Sequence, residues 1–417
     1  MKIRNIVAGL AVLAVTATGT ACSGKSTESG GGTGADGVKT GPGVTADKIT
    51  LGALTDLTGV YATLGKSITQ AQQLYFDELN AAGGVCGRDV EVLVRDHGYD
   101  VQKAVGAYTE IQPKVAGLPQ VIGSPVMAAI AANVATDKLL TVPAAWPSAL
   151  LKAPYVQVVG STYEIEMING IEFLLKEKGI KKGDKIGHVY FEGEYGESAL
   201  AGSKFAAEKA GLTIVEQRIK PTDTDMTSQV SALKAEGVKA ILISAGPRQS
   251  ASLAGVAAAG GLMVPILSNN PGFSPQLLAT AAKPALEANF HLITAAFPND
   301  SKEPGMTALV SAYEAKHPGE ALDGGVTFGY VSAMVFGEAL KKACADKDLT
   351  REGIYKAHQS QSAFDTKGLM PPLDFSKPGD VGTRVSLIQK PDSKVKGGLT
   401  AVGEPIVSEN AVAYTFQ

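Results

Sequence analysis

The chain is poor in the residues that usually carry catalysis or bind metals. Only 3 cysteines and 5 histidines occur among its 417 residues. His97, His188, His291, His317 and His358 lie far apart in sequence, and no His-Glu-x-x-His helix or Gly-x-Ser-x-Gly elbow is present. Each histidine reads as a surface or structural residue, and the sequence offers no catalytic residue, no metal ligand set and no cofactor motif. An unusual hydrolase whose groups meet only in space stays open as an alternative. Charge of one sign is also scarce. The net charge is −3 with basic residues scattered among acidic ones, so there is no electrostatic footprint for nucleic acid. Nor is any apolar run long enough to cross a membrane, which takes roughly 20 residues.

One fragment imitates a phosphate-binding loop. Gly59 to Ser67 combines a strand, a glycine loop and Gly65-Lys66-Ser67 before a helix. The motif needs four residues between its glycines, and five separate Gly59 from Gly65, so the spacing excludes it.

The N-terminus shows what is present. Lys2 and Arg4 precede the apolar stretch Ile6 to Val15, and small residues follow up to Gly19-Thr20-Ala21-Cys22. This is the layout of a signal peptide over residues 1–21. Small residues before a cysteine resemble the lipobox of bacterial lipoproteins, which makes Cys22 the lipidation site. Gly19 stands where a leucine is usual, and ordinary secretion with cleavage nearby is the alternative. Ser23 to Gly43 is nearly all Ser, Thr and Gly, too apolar-poor to offset chain entropy by burial, and residues 22–44 read as a flexible tether. The protein is thus expected on the outer face of the cytoplasmic membrane, held there by a lipid anchor. With Cys22 set aside, Cys86 and Cys344 remain, and an oxidising compartment favours a disulfide between them. The alternative, two separate buried thiols, is distinguished by the mass shift on reduction and alkylation.

From Ile49 onward, short β-branched runs alternate with amphipathic stretches, the pattern of βαβ units and mostly parallel sheets. Strands are predicted at Ile49 to Ala53, Val90 to Val94, Gln120 to Gly123 and Leu139 to Val142, with helices at Leu64 to Ala82, Val101 to Lys114 and Met127 to Thr136 between them. A second series begins with helix Ile165 to Lys178 and continues to strand Pro265 to Leu267. Two series imply two α/β lobes, with the ligand site beyond the carboxyl ends of the strands.

Several segments resemble the periplasmic binding proteins of type I fold that serve branched-chain amino acid ABC transporters. They are Leu57-Thr58-Gly59 with Gly65, Asn80-Ala81-Ala82-Gly83-Gly84-Val85 with Gly87-Arg88, Val121-Ile122-Gly123-Ser124, Val142-Pro143-Ala144-Ala145, Tyr195-Gly196, and the run Ser228 to Gly237 before Val238 to Ile243. The resemblance implies two Rossmann-like lobes joined by a three-strand hinge, with crossovers near Val156 to Ser161, Phe290 to Phe297 and Gly368 to Leu373. Lobe 1 would comprise residues 45–160 and 296–369, and lobe 2 residues 161–295 and 370–417. It further implies a monomeric solute-binding protein that delivers its ligand to ABC permease subunits. A ligand-sensing receptor of the same fold is the alternative.

Site residues follow from the same resemblance, position by position. Ser124, at the start of a helix, would bind a carboxylate with its hydroxyl and neighbouring N–H groups; a plain capping role uses the same geometry. Ala145 and Trp146 stand where a small hydroxyl residue is usual. Tyr195 would close over the ligand from lobe 2. Tyr61 or Leu64 would face the cleft, with Pro247 at the opposite rim beside Arg248. At Asn270 the family places an acid for the ligand ammonium, and an amide cannot neutralise a cation. Either another acid such as Glu194 substitutes, or the ligand is a carboxylate, amide or aromatic acid without an ammonium group.

Overall fold

A computed structural model describes residues 31–416. The signal-peptide stretch and Cys22 lie outside the described residues. The first described segment, Gly31 to Val44, belongs to the stretch expected to be a tether, yet it packs on the body. Val38 is buried, Asp36 pairs with Arg88 at 2.8 Å, and β1 (Lys39–Thr40) joins a short parallel ladder with β11 (Asp348–Leu349). One buried apolar side chain, one ion pair and a short backbone ladder seat this otherwise Gly-rich segment.

Lobe 1 is built from β2 (Lys48–Thr55), α1 (Ala62–Ala81), β3 (Asp89–Asp96), α2 (Val101–Ile111), β4 (Leu118–Ile122), α3 (Ser124–Asp137) and β5 (Thr141–Ala144). Its four strands are all parallel, in the order β3-β2-β4-β5. Parallel strands are covered on both faces, and all five residues of β4 are buried accordingly.

Lobe 2 contains α4 (Tyr163–Glu177), β6 (Lys185–Phe191), α5 (Glu194–Ala210), β7 (Thr213–Ile219), α6 (Thr227–Glu236), β8 (Ala240–Ser244), α7 (Pro247–Ala259), β9 (Ile266–Asn269), α8 (Lys283–Asn289) and β10 (Phe290–Thr294). The chain then forms α9 (Pro304–Lys316), α10 (Gly324–Ala345) and α11 (Arg351–Gln359), of which α9 and α10 pack on α1. It finally returns to lobe 2 with β12 (Ser386–Pro391), β13 (Leu399–Ile406) and α12 (Glu409–Ala413). The seven-stranded sheet runs β13-β12-β10-β9-β8-β6-β7, parallel from β7 to β10, with β12 and β13 added antiparallel at one edge.

The long helix α10 lies across α1 at close range. A Cβ on Gly329 would come within 2.5 Å of the Ile68 carbonyl oxygen, so only glycine permits this approach. Gln72 Nε2 donates to Ser332 Oγ at 2.9 Å, and Ser67 Oγ donates to Asp323 Oδ1 at 2.6 Å, which joins the two helices through buried polar groups. A disulfide links Cys86, in the turn after α1, to Cys344 near the end of α10, with their Cα atoms 5.9 Å apart.

Hydrogen bonds also tie the passages between the lobes to one another. Phe297 N–H donates to the Leu369 carbonyl at 3.0 Å, and Thr383 N–H donates to the Gly160 carbonyl at 3.1 Å. Gln389 Nε2 adds a bond of 2.7 Å to the Ala296 carbonyl.

Candidate ligand-binding site

The two sheets point the carboxyl ends of their parallel strands at one another, and the residues that follow those strands meet in the cleft. Ser124 is the first residue of α3, directly after β4, and is preceded by Gly123 at φ 102°. A Cβ there would lie 2.7 Å from the Tyr99 ring, so glycine lets that ring cover the helix start. Tyr61 enters the cleft on the loop after β2. Asp56 shapes this loop by accepting from the N–H groups of Gly59 and Tyr61, at 2.5 and 2.9 Å. From lobe 2, Tyr195 follows β6 and Pro271 follows β9.

These groups narrow the cleft to a small cavity, with little free room while the lobes are shut, lined by Tyr61, Leu64, Tyr99, Ser124, Tyr163 and Tyr195, among others. Tyr61 meets Tyr99 edge-on at 5.1 Å, and Tyr163 lies 4.5 Å from Tyr195. The lobes are shut on each other here, with α3 packed against α5. Burial pushes all four phenols well above the usual tyrosine range, so they stay protonated and serve as neutral donors and acceptors. Two buried hydroxyls in this cavity, those of Ser124 and Tyr61, make no hydrogen bond of ordinary geometry, although the Tyr163 phenol lies near Ser124.

A second, larger cavity, partly open to solvent, adjoins it on the hinge side. Trp146, Ser161, Glu166, Asn270, Phe328 and Met370 are among its walls. Trp146 is 5% exposed, donates from Nε1 to the Val159 carbonyl at 2.9 Å, and packs edge-on against Phe328 and Tyr163 at 4.9 and 5.9 Å. Glu166 is 4% exposed, and its Oε2 has no partner. Burial, opposed in part by a hydrogen bond from the Asn270 backbone, raises its carboxyl well above the usual range.

Of the sequence-predicted residues, Tyr61, Leu64, Ser124 and Tyr195 line the small cavity, and Trp146 and Asn270 line the hinge-side one. Ala145 lines neither. It is fully buried because successive residues of an extended segment face opposite ways, so Ala144 and Trp146 take the cleft side and Ala145 the core. Pro247 also lines neither and opens α7 at the rim, while Arg248 is exposed. Glu194 is exposed at the start of α5. The buried acid of the cleft is Glu166, which sequence reasoning missed along with Tyr99, Tyr163 and Ser161. Glu164 and Glu166 in the first turn of a helix look like ordinary favourable charges at its positive end. Tyr99 sits in a loop at φ 61° with no periodicity to mark it.

A family model described as periplasmic binding protein matches residues 48–394. The chain belongs to the periplasmic binding protein family. As such it shares 28% identity over 310 residues with Leu/Ile/Val-binding protein homolog 8 of Brucella abortus, covering 70% of this chain and 76% of that protein. Among solved structures, this periplasmic binding protein is similar to a fatty acid ABC transporter substrate-binding protein from Thermomonospora curvata, with 54% identity, a TM-score of 0.91, and coverage of 93% and 99% of the two chains. A branched-chain amino acid ABC transporter protein from Thermus thermophilus with bound valine shares the fold at 21% identity and a TM-score of 0.80, covering 89% of this chain and 100% of that one. The family is one of periplasmic binding proteins, which work outside the cytoplasm.

Proposed function

We propose that this chain captures a small apolar carboxylic acid between its lobes and delivers it to an ABC permease as a monomer held outside the cell by a lipid on Cys22. The observation that carries the ligand reading is the unpartnered Ser124 hydroxyl, 2% exposed at the start of α3 and facing a cage of neutral phenols. A carboxylate there gains the hydroxyl, free N–H groups of the helix start and the helix dipole. Among the described residues no acid lines this cavity to balance an ammonium group. The 54% identity to a fatty acid ABC transporter substrate-binding protein supports the same ligand class.

A second reading, a branched-chain amino acid ligand, is favoured by the relatives named Leu/Ile/Val-binding protein homologs and by the nearby Glu166 carboxyl. It requires Glu166 to ionise in a site whose burial opposes ionisation. A thermal-shift screen of saturated monocarboxylates, aliphatic amides, leucine and valine separates the two, because a ligand that binds the native state raises its melting temperature. Stabilisation by monocarboxylates is expected. Stabilisation by leucine or valine with none by monocarboxylates overturns the reading.

A further inference from the structure

The interlobe space is divided in two, and the division is thin. Three elements contribute to both cavities. Helix α4 supplies Tyr163 to the small one and Glu166 to the hinge-side one, three residues apart on one helix face. The end of β5 supplies Ala144 and then Trp146, and the loop after β9 supplies Pro271 and Asn270. The edge-to-face pair of Trp146 and Tyr163 stands between the two compartments.

Unpartnered polar atoms occur on both sides of that pair. Ser124 and Tyr61 carry them in the small cavity; Ser161 Oγ and Glu166 Oε2 carry them in the hinge-side one, where the two residues are 2% and 4% exposed. Two other polar walls of the hinge-side cavity, Asn299 and Gln389, are already engaged. Asn299 Nδ2 donates to the Asp323 carbonyl and its Oδ1 accepts from Thr327, while Gln389 Nε2 donates to the Ala296 carbonyl. Leu292, Phe328, Met370 and Leu399 supply an apolar surround.

We infer that the ligand is an apolar acid with a second oxygen-bearing group at its far end, running past Trp146 into the hinge-side cavity, where Glu166 and Ser161 bind that group. The inference rests on the carboxylate reading of the Ser124 end. A bare hydrocarbon terminus leaves two buried polar groups unsatisfied, whereas a hydroxyl, amide or un-ionised carboxyl satisfies both. Burial raises the Glu166 carboxyl well above its usual range, which favours the protonated form, and that form offers a proton to an acceptor oxygen.

Calorimetric titration of the full chain with saturated monocarboxylates and with ω-hydroxy carboxylates of matched lengths tests this. At the best-fitting length the ω-hydroxy acid is expected to bind about tenfold more tightly. Glu166→Leu removes that advantage and, with one polar group fewer left unsatisfied against a hydrocarbon end, binds monocarboxylates more tightly than the wild type, whereas Glu166→Gln keeps most of the preference for the ω-hydroxy acid. The ligand-free melting temperature of Glu166→Leu checks that the variant is folded. If monocarboxylates bind and the ω-hydroxy acids bind no better at any length, water fills the Glu166 pole and this inference falls alone. If neither class binds, the carboxylate reading falls and takes this inference with it.

Discussion

Tyr195 and Asn269 are joined by a hydrogen bond of 2.8 Å in which the phenol donates to the amide oxygen Oδ1. Both residues are buried, and the amide nitrogen of Asn269 has no partner of its own. Tyr195 reaches the cleft from the start of α5 and Asn269 from the end of β9, so the bond fixes the ring from within lobe 2. The ring is therefore held ready for the small cavity before any ligand arrives.

That arrangement separates two roles of Tyr195. Tyr195→Phe leaves the Asn269 oxygen unsatisfied and should lower stability by about 1–3 kcal/mol while the ring still walls the cavity. Tyr195→Ala removes the wall as well and should weaken binding of a confirmed ligand by tenfold or more, on the order of the loss expected for a buried aromatic contact. Urea unfolding reads the first effect and calorimetric titration the second. Unchanged affinity in Tyr195→Ala would show that lobe 2 makes no ligand contact through this ring.

Ser124→Ala should affect the two measurements unequally. The hydroxyl makes no hydrogen bond of ordinary geometry in the shut cleft and has only the nearby Tyr163 phenol to interact with, so deleting it should cost the ligand-free protein little and nearly preserve its melting temperature. Carboxylate affinity should fall by about tenfold, since a hydrogen bond to a charged group is lost. A fall in ligand-free stability with unchanged affinity would assign Ser124 to helix capping alone.

How these residues were legible differs with the kind of signal each leaves. The alternation of β-branched runs and amphipathic helices is a long-range pattern, and it puts the expected strands Ile49 to Ala53 and Val90 to Val94 inside β2 (Lys48–Thr55) and β3 (Asp89–Asp96). Positions that directly follow a strand, such as Ser124 and Tyr195, inherit that precision. Glu166 and Tyr163 do not, because they lie on the first turn of a helix that enters lobe 2 from a passage between the lobes, and only the tertiary fold turns that helix end toward the cleft. The packing of Gly31 to Val44 was hidden for another reason. Its composition is that of a flexible segment, and the contacts that hold it, Val38 in the core and Asp36 on Arg88, are made with residues distant in sequence.

The disulfide offers a stability prediction. It closes a loop of 258 residues, and a cross-link over so long a loop restricts the unfolded chain strongly. Cys86→Ala with Cys344→Ala should lower stability by about 2–5 kcal/mol, read by urea unfolding. Identical unfolding curves with and without reductant in the wild type would argue against a formed cross-link.

Four histidines are buried and held below their ordinary range, and three of them, His188, His291 and His358, are shifted far enough to shape the response to acid. Burial lowers His188 and His358 to about 3 and His291 to about 4, from an ordinary 6.5. Their folded forms refuse a proton that the unfolded chain accepts. Stability from each is thus fully present above pH 6.5 and is lost as the pH falls toward the folded values, by about 1.4 kcal/mol per unit for each residue. Glu166 and Asp323 act the other way, since burial raises them, Asp323 to about 6, and acid relieves the cost of ionising them. The histidine contribution is isolated by His358→Gln, which can keep a hydrogen bond to Gln157. Its unfolding free energy should decline less steeply than the wild type between pH 6.5 and 4.5, by that same slope; parallel curves would mean that His358 is not held neutral.

Trp146 is the only tryptophan in the chain, and it stands in the wall between the two cavities, 5% exposed when the lobes are shut. Its emission is therefore a reporter of one place. Hinge opening exposes cleft residues to water, and a ligand favours closure only through the additional contacts it makes to the second lobe. Addition of a carboxylate that binds should shift Trp146 emission to shorter wavelength as the indole leaves water. Tyr195→Ala, which removes a contact to lobe 2, should reduce the shift at a given ligand concentration and recover it at higher concentration. Ser124→Ala, which loosens the lobe 1 end, should need more ligand to reach the same final shift. Emission that stays fixed while calorimetry records binding would mean that the lobes close without the ligand, and that selection between open and shut states lies elsewhere than at this wall.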